Sequence, residues 1–140
     1  MILVDTSGLL AALTPDQPRH PECARALADA RPPRIISPFV VAEMDYLVQR
    51  FAGVEGELAF LNEVGAGVYQ LAPFSAADVV AARGVIERYR SLGIGLSDAS
   101  IVVLAERYGT YDIFTLDERH FRAMRPLTKR RSFRLLPADA

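Results

Sequence analysis

The sequence predicts an α/β fold with a mostly parallel central sheet of four to five strands and helices on both faces. Two observations carry this reading. Short apolar runs of strand length alternate along the whole chain with longer segments of helical pattern, the signature of parallel strands joined by helical crossovers. Two of those runs, "ILV" and "IFTL", also lead straight into an aspartate. In open parallel sheets, ligands bind just outside the carboxyl ends of the strands, so acids at those places are candidates for chemistry.

The elements follow in order. "ILV" (2–4) is continuously apolar, as a strand buried on both faces must be. "SGLLAALT" (7–14) reads as a short helix halted near Pro15, and "HPECARALADA" (20–30) as a second, with Pro21 suited to a first helical turn. "PPRIIS" (32–37) gives the second strand. Ser37 is a helix cap with Pro38 at the first position of "FVVAEMDYLVQRF" (39–51). A separate helix, "EGELAFLNEV" (55–64), ends at Gly65. "VYQLAPF" (68–74) is the third strand. Ser75 and Asp78 form an S-x-x-D capping box before "VVAARGVIERYR" (79–90). "GIGLSDASIVVLAERYG" (93–109) supplies a loop, a Ser97 cap and a helix closed by Gly109. "DIFTLD" (112–117) is the fourth strand and "SFRLL" (132–136) the fifth. The Gly-rich stretch 53–67, with Gly53, Gly56, Gly65 and Gly67, matches no motif.

Composition narrows the classes. A chain of 140 residues fits one domain, 1–140, and 51% hydrophobic content supplies one sizeable core. No apolar run approaches the roughly 18 residues of a membrane span, and no signal peptide precedes Asp5. Cys23 is the only cysteine, which excludes an internal disulfide and fits a reducing cytoplasm. With only His20 and His120 beside it, a structural zinc site is not expected. Net charge is −1, but it is unevenly spread. Residues 119–134 contain Arg119, Arg122, Arg125, Lys129, Arg130, Arg131 and Arg134 and no acid, a +7 segment on a body of −8. Such an arrangement fits a polyanion held beside an acidic centre, or else a simply solvated charge run.

The acids define that centre. Asp5 and Asp117 follow the first and fourth strands, which share one sheet edge. Asp98 opens the helix at 98–108, where the helix N-terminus favours an anion. Glu43 lies in the apolar helix "FVVAEMDYLVQRF", on or beside its core stripe, with Asp45 as its more exposed neighbour. Each acid has an ordinary reading, as a cap, a turn residue or a solvated charge. Asp5 is the hardest to explain that way, because it ends the most apolar strand. Four carboxylates converging at one edge repel one another unless a cation enters, and hard oxygen ligands suit Mg2+ or Mn2+. Such a site can orient water for in-line attack on a phosphodiester.

At these residues the chain resembles a known family. "LVDTSGLL", "VVAEMDYL", "LSDASIVVLAERYG" and "IFTLDERHF", in this order, are similar to the motifs of PIN-domain nucleases, and within them of the VapC toxins of toxin–antitoxin pairs. The resemblance implies a PIN-like fold and a Mg2+- or Mn2+-dependent endoribonuclease with catalytic Asp5, Glu43, Asp98 and Asp117. It implies metal ligation by Asp5, Asp98 and Asp117, with Ser7 and the intervening Thr6 in support. It also implies a homodimer, and a VapB antitoxin that blocks the active-site groove. The stretches "SPFVVAEMDYLV", "GIGLSDASIVVLAERY" and "TLDERHFRAMRPL" look most like the branch that cuts the sarcin–ricin loop of ribosomal RNA, with tRNA the second candidate. Arg119 and Arg122 are the expected phosphate contacts near the metal, with Lys129, Arg130 and Arg131 farther out. Two other readings compete. A phosphatase with an Asp nucleophile usually has a second Asp two residues on, where this chain has Ser7. A catalytically inactive PIN-type module in an RNA or protein complex would be favoured by loss of one of the four acids, and all four are present.

Overall fold

The computed structural model describes residues 1–140. Five strands, β1 (Ile2–Val4), β2 (Arg34–Ile36), β3 (Gln70–Leu71), β4 (Asp112–Phe114) and β5 (Arg134–Leu136), form one sheet in the order β3-β2-β1-β4-β5. Every neighbouring pair is parallel. β1 is the centre: Leu3 lies opposite Ile35 on one side and Ile113 on the other, and Val4 opposite Ile36 and Phe114. All six of these side chains are essentially without solvent exposure. Burying each contributes about 1.5–3 kcal/mol, so these three strands carry much of the fold's stability.

Six α-helices flank the sheet: α1 (Thr6–Leu13), α2 (His20–Asp29), α3 (Pro38–Gly65), α4 (Ala76–Arg88), α5 (Leu96–Tyr108) and α6 (Glu118–Ala123). α5 is buried without interruption from Ala99 to Ala105. Its one polar residue there, Ser100, is fully satisfied. The Ser100 hydroxyl donates to the Ser97 carbonyl at 2.6 Å and lies 2.7 Å from the Ser37 hydroxyl, which in turn accepts the Phe39 amide as the α3 cap. Since Ser100 spends its proton on Ser97, Ser37 is the donor between the two hydroxyls. The expected capping box of α4 is present in both directions, and Asp78 also pairs with Arg107 of α5.

Several elements depart from expectation. The span α3 is two helical segments, as expected, meeting at a sharp kink at Gly53 instead of being parted by a loop; its φ of 69° and ψ of −173° are non-helical and lie in a region open essentially only to glycine. The third strand shrinks to Gln70–Leu71, an exposed edge, because Val68 and Pro73 lie outside the ladder. Ser97 does not cap α5. The cap position is Gly95, and Ser97 sits inside the first turn. Asp117 does not end a strand either. β4 stops at Phe114, and Asp117 caps the short helix α6, which lies inside the basic segment and had no sequence signal strong enough to mark it.

One glycine controls how α1 sits on the sheet. A Cβ at Gly8 would fall 2.8 Å from the Phe114 carbonyl oxygen and 3.0 Å from its carbon, which is backbone and cannot rotate away. The close approach lets α1 start directly beside the end of β4. Gly8→Ala should therefore destabilise the fold by about 1–3 kcal/mol. Gly84→Ala, in mid-α4 with nothing within 4 Å, should stabilise it by about 0.5–1 kcal/mol. Urea midpoints moving in opposite directions at constant slope will test the pair.

Candidate active site

The site lies past the carboxyl ends of β1 and β4. Asp5 follows β1 and is only 4% exposed. Its Oδ2 accepts the hydroxyl protons of Ser7 at 2.7 Å and Thr115 at 2.6 Å. Each hydroxyl uses its remaining capacity on the following loop: Ser7 Oγ accepts the Leu116 amide at 2.9 Å, and Thr115 Oγ1 the Asp117 amide at 2.9 Å. The two hydroxyls also lie 3.1 Å apart, but both protons are already on Asp5, so that contact is packing rather than a further bond. Burial pushes the Asp5 carboxyl upward. The hydroxyls of Thr115 and Ser7 and the backbone at Thr6 pull it down, and the Asp117 charge adds a further push upward.

Asp98 is the third residue of α5. Burial first, then the charge of Asp5, raise its carboxyl to about 6, against a downward pull from His120. Asp117 caps α6, its Oδ1 accepting the His120 amide at 3.1 Å. The ring of His120 then folds back between the acids: Nδ1 is 2.8 Å from Asp98 Oδ2 and 3.0 Å from Asp117 Oδ2. Asp98, Asp117 and His120 each offer one ligand atom within 4.8 Å of the others, a set that could hold a metal ion. Asp5 and Glu43 are outside that set. Glu43 lies on the exposed face of α3 and accepts from the Thr6 hydroxyl at 3.1 Å. It is more exposed than Asp45, the reverse of the expectation.

A PIN-domain family model matches residues 2–126 of this chain. The chain belongs to the PIN-domain family. Ribonuclease VapC26 of Mycobacterium tuberculosis is 46% identical over 129 residues, spanning 90% of this chain and 93% of that one, which places this PIN domain among the VapC proteins. Two solved structures share its fold. M. tuberculosis VapC20, described as a sarcin–ricin loop cleaving toxin, superposes with a TM-score of 0.78 at 22% identity over 84% of this chain and 90% of that one. VapBC2 of Rickettsia felis, bound to a DNA fragment from its promoter, superposes with a TM-score of 0.66 at 20% identity over 96% and 97%.

Of the residues marked in the sequence of this PIN domain, Asp5, Thr6, Ser7, Glu43, Asp98 and Asp117 form one connected region. The basic residues divide. Arg122 is held by a two-pronged pair with Asp139 (2.7 and 2.8 Å) and by Glu118 at 3.2 Å, so its guanidinium is already engaged. Arg130 stacks on the Tyr111 ring, 4.6 Å from its centroid. Arg119, Lys129 and Arg131 are exposed and form no ion pair. Thr115 and His120 have parts the sequence reading missed. Their only signals are a Thr two residues before Asp117 and a His three residues after it.

The raised Asp98 carboxyl has a sign that can be measured. Its folded value, about 6, exceeds the ordinary 3.8, so between those values the folded state holds more protons than the unfolded one. Asp98 therefore lowers stability progressively as pH rises from about 4 to about 6, by about 2–3 kcal/mol in all. Asp98→Asn should unfold later than the parent in chelator-treated buffer at pH 7, with the advantage shrinking to nothing near pH 4. Paired denaturation curves across that range will show it.

Proposed function

We propose that this VapC-family chain, acting as one PIN domain over 1–140, is the toxin of a toxin–antitoxin pair and a divalent-cation-dependent endoribonuclease that hydrolyses phosphodiester bonds in a structured RNA loop. The observation that carries the reading is the convergence of Asp5, Asp98 and Asp117 at one sheet edge. Burial raises the Asp5 and Asp98 carboxyls; the charge of Asp117 adds to both, and that of Asp5 to Asp98. A cation relieves that repulsion, and the donors fit one: carboxylate oxygens of the kind Mg2+ and Mn2+ prefer.

In this reading Asp5, Asp98 and Asp117 hold the ion. A bound ion would supply Lewis-acid polarisation of the scissile phosphate and of an attacking water. The protein's own residues do the positioning. Ser7 and Thr115 fix the Asp5 carboxylate in one orientation. Thr6 steadies Glu43 at the solvent rim, where its carboxylate can orient a water and take up a proton. Substrate phosphates would meet Arg119 first and Lys129, Arg130 and Arg131 beyond it, whereas Arg122 would have to leave Asp139 to join them. A site of this kind needs a phosphate splayed out of a stack, which favours loops over duplex. The sequence stretches that resemble the sarcin–ricin branch put ribosomal RNA ahead of tRNA.

The partners follow the same reading. A VapB-type antitoxin is supported by the likeness to VapBC2. A homodimer is supported by apolar side chains left exposed on α3, including Phe51, Val54 and Leu58. No helix is long and apolar enough to cross a membrane, and the proposed substrate is cytoplasmic.

Purified protein with Mg2+ or Mn2+ should cut ribosomal RNA within intact ribosomes at a discrete loop, seen by mapping 5′ ends. Asp98→Asn should remain folded and cut nothing. Intact ribosomal RNA beside a discrete tRNA fragment would reverse the substrate order, and random cuts in both would sink the loop assignment.

The basic segment makes its own prediction. Changing Lys129, Arg130 and Arg131 together to Ala should flatten the salt dependence of RNA binding by about 0.7 log units per lost phosphate contact. An unchanged slope would show a solvated face.

A further inference from the structure

We propose that His120 is a nitrogen ligand of the cation site, and that the site therefore takes Mn2+ in preference to Mg2+. The inference rests on the cation-dependent reading above and adds a ligand that the four acids do not include. Three observations carry it.

The first is spacing. His120 Nδ1 lies 2.8 Å from Asp98 Oδ2 and 3.0 Å from Asp117 Oδ2. Adjacent ligands of an octahedron with bonds of about 2.1 Å are separated by about 3.0 Å, so the His120 nitrogen already has the spacing of a neighbouring corner to each of the two oxygens. The second is fixation. The His120 amide is bonded to the other oxygen of Asp117, and the next residue, Phe121, is buried in the core. The ring is thereby placed before any ion arrives. The third is that the His120 Nδ1 has no partner outside the cluster itself. His20, the chain's other histidine, faces the Ala11 carbonyl at 2.9 Å and is accounted for as a structural residue. His120 Nδ1 faces only carboxylates, and neither Asp98 nor Asp117 forms an ion pair with any Arg or Lys.

Donor chemistry then ranks the metals. Mg2+ favours oxygen ligands and retains its waters, whereas an imidazole nitrogen in a mixed site raises affinity for Mn2+ and later first-row ions. The contrast with a merely structural role is specific. A histidine that only bridges the two carboxylates by hydrogen bonding competes with any ion, and its removal would strengthen binding of Mg2+ and Mn2+ alike.

Pulsed electron paramagnetic resonance of the Mn2+-loaded full chain tests this without an activity assay. The wild type should show nitrogen-14 modulation. That modulation should be replaced by nitrogen-15 signals when histidine alone is labelled, persist in His20→Gln and vanish in His120→Ala. By calorimetry, His120→Ala should weaken Mn2+ at least tenfold and Mg2+ far less. Mn2+ bound to the wild type without nitrogen modulation would overturn the inference while leaving the cation reading intact. So would Mn2+ affinity that is unchanged or raised in His120→Ala. Failure of the wild type to bind Mn2+ at all would overturn both.

Discussion

Everything at the site depends on how Asp5 is kept in a nearly dry place. An isolated buried carboxylate costs several kcal/mol, and hydrogen bonds to a charged group return about 1.5–3 kcal/mol each. Asp5 takes two from hydroxyls, Ser7 and Thr115, on one oxygen. Those hydroxyls have a lone pair to spare, and each spends it on a backbone amide of the 115–117 loop. Solvating one charge thus fixes the path of the chain between β4 and α6. Asp117 and the first turn of α6 inherit their positions from it. The arrangement requires α1 to begin in direct contact with the end of β4, which is why no side chain can stand at Gly8.

Electrostatics divide the molecule less simply than its charge count does. The segment 119–134 carries +7 in sequence, yet Arg122 is neutralised locally by Asp139 and Glu118, and Arg134 by Asp112. Asp139 also accepts the Leu135 amide and is held down to about 2 chiefly by Arg122. Part of the basic run therefore ties α6 to β5. The positive charge facing outward is concentrated at Arg119, Arg125, Lys129, Arg130 and Arg131; Arg119 lies beside the acids in α6, whereas Arg130 stacks on Tyr111 at the opposite, amino end of β4.

Much of this was legible in the residue order. Apolar runs of two to three residues marked the buried strands, since parallel strands covered on both faces leave no polar alternation to confuse them. The S-x-x-D box marked α4, and acids after apolar runs marked Asp5 and Asp117. What stayed hidden depends on tertiary contact. Thr115 and Ser7 are 108 residues apart and acquire meaning only when β1 and β4 pair. His120 carries no signal of its own in the sequence, because its partners are carboxylates brought by α5 and α6 and not nearby cysteines. Ser97 looked like a cap, and Gly95 took the place. The glycines of 53–67 had no motif because the need at Gly53 is a backbone angle.

The strand order β3-β2-β1-β4-β5 puts the first strand made beside one of the last. A chain emerging from the ribosome has Asp5 and Glu43 early, but no partner for the open side of β1 until residues 112–114 appear. Domains fold as units once enough chain is out, and synthesis proceeds at about 5–20 residues per second. The Asp5 hydroxyl cradle and the Asp98–Asp117–His120 cluster therefore come into being together, in the last quarter of translation. Chains that end before residue 112 lack Thr115, Asp117 and His120, so the assembly of the cluster is timed by the order in which the strands are made.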